Sequence, residues 1–152
     1  MRVLLGALLL LAALPAAYAQ TPGQTVSTFA CGAFKTESWR TATGSHWTIT
    51  RASEKTTDSA VLKKGPRFEC IGGAVLAVEF VPAHGPAFLD LYFPDGSDIG
   101  YGGQTFERNG RFVVPVQARP RIPPEFRGLF DYHCRFELPA DPIKPEERAF
   151  CS

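Results

Sequence analysis

The side chains that could carry chemistry are few, and the histidines come first. There are three, His46, His84 and His133. Neutral imidazole is a common ligand of copper and zinc, so three rings meeting at one point would hold either ion. The three are far apart in the chain, so the fold must bring them together if they are to share a metal. Asp90, Asp95 and Asp98 offer a second constellation, a set of carboxylates suited to calcium. Their spacing has neither the D-x-D-x-D-G order nor the closing glutamate of an EF-hand loop, and a hairpin turn through Asp95 and Gly96 explains them without an ion. No G-x-S-x-G, H-E-x-x-H or G-x-G-x-x-G occurs, which leaves hydrolase, zincin and dinucleotide-binding readings without a motif.

Two stretches could bind rather than react. Residues 119–127 combine Arg119, Pro120, Arg121, Pro123, Pro124 and Arg127. They read either as a stiff basic arm for an aromatic or acidic surface, or as a rigid connection between strands that ends at Gly128. Tyr92, Tyr101 and Phe106 could form an exposed aromatic patch for glycan or protein recognition, or pack inside.

The position of these groups depends on where the folded chain starts. Arg2 is followed by an apolar run over 3–14, then by Pro15 and the small-residue pattern Ala17, Tyr18, Ala19. This predicts a removable signal peptide over 1–19, cut before Gln20, because the run falls short of the roughly 20 residues needed to cross a bilayer. No cysteine follows the cut, so a lipid anchor is not expected there. Residues 20–152 are then one domain, long enough to bury a core. The chain carries 16 Lys and Arg against 15 Asp and Glu, and Arg2 leaves with the leader. A neutral remainder exerts no long-range pull on nucleic acid or anionic lipid. Cys31, Cys70, Cys134 and Cys151 are even in number and widely spaced, with no C-x-x-C pair, which in an exported chain predicts two disulfides rather than a thiolate metal site.

The elements themselves are mostly strands. Trp47 and Ile49 alternate with His46, Thr48 and Thr50. Leu76, Val78 and Phe80 alternate along 76–81, Leu89, Leu91 and Phe93 along 89–93, and Phe112, Val114 and Val116 along 112–116. Over 130–138 every second residue is apolar and every intervening one polar, a period of two that fits a half-buried strand. It directs Cys134 inward with Tyr132 and leaves His133 on the polar face. Turn signals at 82–86, 94–96, 100–103, 109–110 and 119–124 separate these runs. Residues 57–64, ahead of Gly65 and Pro66, lose the alternation and read as one short helix. Pro115 is expected at a sheet edge or bulge, since it cannot donate to a ladder. The fold class predicted is all-β, a small antiparallel β-sandwich stapled by disulfides.

Within 68–138, the run from Gly128 to Cys134, with Tyr132 two residues before Cys134 and Cys70 far upstream, resembles immunoglobulin-like domains. That resemblance implies a Cys70–Cys134 bridge between sheets and a Cys31–Cys151 bridge tying the termini. Sequential pairing, Cys31–Cys70 and Cys134–Cys151, stands beside it as an alternative. In architecture, a β-sandwich with exported copper resembles the copper-dependent superoxide dismutases, here with three imidazoles against that family's four. Tyr132, His133 and Cys134 are also similar to a cupredoxin copper strand, but no histidine follows His133 and the single methionine is Met1.

The function expected is that of a secreted, periplasmic or cell-surface accessory domain, non-catalytic, engaging an envelope or extracellular protein through loops or an edge strand. The alternative is a small copper protein or superoxide dismutase-like enzyme using His46, His84 and His133, with copper or zinc as cofactor.

Overall fold

The computed structural model describes residues 24–102, 106–108, 110–134 and 142–151, with 101 and 106–108 described by backbone alone. The expected signal peptide, residues 1–19, lies outside them, as does the part of the 130–138 run beyond Cys134. Among the described residues no helix is long and apolar enough to cross a membrane.

Eight strands follow one another in an antiparallel meander divided between two sheets. The first sheet holds β1 (Ser27–Cys31), β2 (Phe34–Thr41), β3 (Gly44–Arg51) and β4 (Glu54–Ala60); the second holds β5 (Leu62–Ile71), β6 (Val75–Pro82), β7 (Phe88–Tyr92) and β8 (Asp98–Gly102), each in sequence order. Tight turns make this possible. Gly72 and Gly73 sit at φ +58° and +71° in the turn from β5 to β6, a left-handed pair that suits a two-strand reversal. At the β7–β8 turn Asp95 accepts hydrogen bonds from the Ser97 amide (2.9 Å) and hydroxyl (2.6 Å), and Gly96 adopts φ +93°. The hairpin expected through Asp95 and Gly96 is present.

Only Val61 separates β4 from β5, so the chain leaves the edge of one sheet and enters the other at a corner. Residues 57–64 are therefore strand and corner, not the expected helix. β4 pairs with β3 in unbroken register from Arg51↔Glu54 to Ser45↔Ala60. From Glu54 to Ser59 β4 is polar throughout and shows no apolar period, and sheet pairing decides its conformation.

The second sheet is the middle layer of the molecule. Leu76 and Val78 face the first sheet, where Phe34, Trp47 and Ile49 meet them. Val75, Ala77, Leu89, Leu91 and Ile99 face the other way, against Phe112, Val114, Val116, Ile122 and Phe130. All of Val75 to Val78 are at most 1% exposed, as expected for a strand covered on both faces. The second cover is a three-stranded sheet of β9 (Phe106–Arg108), β10 (Arg111–Pro115) and β11 (Asp131–His133), in the order β11-β10-β9.

β10 and β11 run parallel, a departure from the all-antiparallel expectation. Parallel neighbours need a crossover, and two 3-10 helices, Val116–Arg121 and Pro124–Leu129, supply it. Residues 119–127 thus serve as the rigid connection. Arg127 fastens it, donating from Nε to the Ile122 carbonyl at 2.9 Å, while the Tyr132 hydroxyl donates to the Arg127 carbonyl at 2.8 Å. Pro115 ends β10 opposite His133, beyond the reach of β9, whose pairing stops at Val113. A short helix, α1 (Pro145–Arg148), closes the chain.

The disulfides are Cys31–Cys70 and Cys134–Cys151, with Cα separations of 5.3 and 5.6 Å. The pairing implied by the immunoglobulin-like resemblance does not form, because Cys70 on the first-sheet side of β5 meets the end of β1. Cys134, beyond β11 in the opposite layer, meets the segment after α1.

Candidate functional site

The sequence-predicted histidines occupy three different places. His46 in β3 points away from the second sheet, stacked on Trp39 of β2 at 5.7 Å between centroids, with Nε2 2.7 Å from the Thr41 hydroxyl. His84 is exposed in the loop between β6 and β7. His133 in β11 belongs to the opposite cover, so the middle sheet lies between it and His46. Among the described residues no three His, Cys, Asp or Glu side chains form a group that could hold a metal ion. His133 was expected on an accessible face and is instead 6% exposed. Alternation identifies the two faces of a strand but not whether both are covered, and β11 is packed against β10 and the Val116–Arg121 helix. Of the aromatic trio, Tyr92 packs partly buried against the core with Phe34 and Trp47, and the Tyr101 and Phe106 side chains lie outside the described residues.

Carboxylates do come together, at another point. Asp58 in β4 pairs with Trp47 and shares its face, toward the second sheet. Asp90 pairs with Gly100, Asp98 pairs with Tyr92, and all of these face the first sheet. The charges of Asp58 and Asp98 bear on Asp90 across the gap. Half-burial first, then the charges of Asp58 and Asp98, push the Asp90 carboxyl up to about 6. Burial, followed by the three carboxylates, raises the Tyr92 phenol as well. Arg51, the nearby cation at the β3–β4 turn, is occupied with Glu54 and the Pro94 carbonyl.

Beside this acidic corner runs the free side of β4. A sheet edge exposes unpaired N–H and C=O groups that another strand can complete. The four edges of the two larger sheets differ in how well they could do so. β5 is interrupted by two register shifts around Gly65 and Pro66, and β1 and β8 are five residues each. β4 has seven residues with no proline and no shift, all exposed except Ala60. Sequence reasoning missed it because its side chains are polar on both faces; the paired threonines Thr56 and Thr57 are the only β-forming signal it carries. In comparisons with known families, curated proteins and solved structures the chain matches none.

Proposed function

We propose that the protein is an exported binding domain that captures a protein partner by adding the partner's strand to β4. The observation that supports this most is the uninterrupted open edge of β4, among the described residues the longest regular edge of the two larger sheets. Backbone hydrogen bonds supply affinity in such a mode, and side chains along the strand supply selectivity. Here selectivity is electrostatic. Asp58 and Asp98 act on Asp90 beside the edge, and among the described residues no cation pairs with them, so a partner strand with lysine or arginine on that face offsets their charge. Two disulfides suit an oxidising destination, the periplasm, cell surface or medium, to which the leader read in residues 1–19 would deliver the chain.

Successive amides of a strand point to opposite sides, so Thr56→Pro and Thr57→Pro separate the two edges of β4. One removes an N–H bonded to β3 and lowers thermal stability. The other removes only an outward N–H. Affinity capture from the envelope or culture fraction should recover a defined partner with the native protein and lose it with the outward variant, at unchanged thermal midpoint. Retention of the same partner by both variants would defeat the reading.

A further inference from the structure

A cleft opens on the β1–β2 side of the first sheet, by the end of β3 that carries Ser45. Along the face that looks toward β5, the apolar residues of β2 and β3 give way to polar ones. Phe34 and Thr36 are followed on β2 by Ser38 and Arg40, and Trp47 is preceded on β3 by Ser45. Ser27 of β1 stands opposite Ser38, and Arg40 stands opposite Ser45. Gly65 and Pro66 of β5 stand across from them where β5 breaks register with β6. The result is an open cleft of about 320 Å³ lined by Thr25, Ser27, Ser38, Arg40, Ser45 and Pro66, among others. That volume is at the small end of the ~300–1,000 Å³ typical of ligand sites, with room for about one sugar ring.

Arg40, exposed at this cleft, supplies its positive charge. Arg51, Arg67 and Arg111 each pair with a carboxylate, Arg119 lies over aromatic rings and Arg127 binds backbone carbonyls. The Arg40 backbone is held in place, its carbonyl accepting from the Gln24 side-chain amide, yet its guanidinium has no ion pair or hydrogen bond among the described residues. Among the described residues no acidic one lines the cleft to neutralise it. A guanidinium presents a planar fork that matches a carboxylate, and serine and threonine hydroxyls both donate and accept, as the hydroxyls of a sugar require of their partners.

We infer that this cleft binds an acidic saccharide, with the carboxylate of a uronate residue on the Arg40 guanidinium and its ring hydroxyls on Ser27, Ser38 and Ser45. The site is separate from the β4 edge and stands or falls without it. The test is calorimetric titration of the disulfide-intact protein with oligogalacturonate, a neutral oligosaccharide of equal length, and a tripeptide with a free carboxyl terminus. Oligogalacturonate should bind saturably and weaken as salt is raised. Arg40→Gln should weaken it at least tenfold at unchanged thermal midpoint, while Arg121→Gln, an exposed arginine elsewhere, leaves it unaltered. Absence of saturable uronate binding, indifference to Arg40→Gln, or equal binding of the neutral sugar or the tripeptide would each overturn the inference.

Discussion

Asp90 gives the acidic corner a measurable signature. Its carboxyl sits at about 6 in the fold against 3.8 for the unperturbed group, so between those values the folded state holds a proton that the unfolded chain has released. Stability is therefore highest below about pH 4 as far as this group is concerned, and falls as pH rises through 6. The full shift corresponds to about 3 kcal/mol, but Asp90 is only partly buried, and solvent screening reduces the expected loss to about 1 kcal/mol. Urea midpoints measured from pH 4.5 to 7.5 should decline for the native protein and stay flat for Asp90→Asn; a flat native profile would remove the repulsion from the account. The aspartates were legible in the sequence as a cluster, but Asp95 was counted in it and Asp58 was not. Asp95 turned out to be the turn residue, held low in pKa mainly by the Ser97 hydroxyl, while Asp58 joins from another sheet. The histidines show the same limit, since residue types announce possible ligands but only the layering decides which of them meet.

At the level of elements, the two disulfides should contribute unequally. Cys31–Cys70 closes 39 residues and joins the two larger sheets, whereas Cys134–Cys151 closes 17 and anchors α1 beside the crossover. Loop-closure entropy assigns about 4 kcal/mol to the first and about 3 kcal/mol to the second. Replacing Cys31 and Cys70 with alanine should therefore lower the denaturation midpoint more than replacing Cys134 and Cys151. The reverse order would show that the C-terminal segment, and not the sheet-to-sheet link, limits stability. The strands with a strong apolar period were readable in advance, namely β3, β6, β7, β10 and β11. β1, β2 and β4 were not. On β2 the inward row is Phe34, Thr36, Ser38 and Arg40, and Trp39 lies on the other face, so its hydrophobicity points the wrong way. Such strands are specified by their neighbours and by short turns, which a single-strand period does not register.

The molecule as a whole is a middle sheet covered on both sides. Sequence alternation predicted packed antiparallel sheets and had no means of predicting a third layer, because β6 reads as alternating although Val75 to Val78 are buried on both faces. Enclosure of the middle sheet leaves the first sheet as the outer layer on its side, with β4 as its open border. Photo-crosslinking within the producing cells tests this placement most directly. A photoreactive residue at Thr57, on the border strand, should yield a discrete adduct with another protein, whereas one at Lys35, exposed on the same outer face but interior to the sheet, should not. Peptide mapping should find a lysine- or arginine-bearing segment of the partner joined to β4. No adduct at Thr57, the same adduct from both positions, or an adduct only with a second copy of this chain would contradict capture of a partner protein's strand by β4.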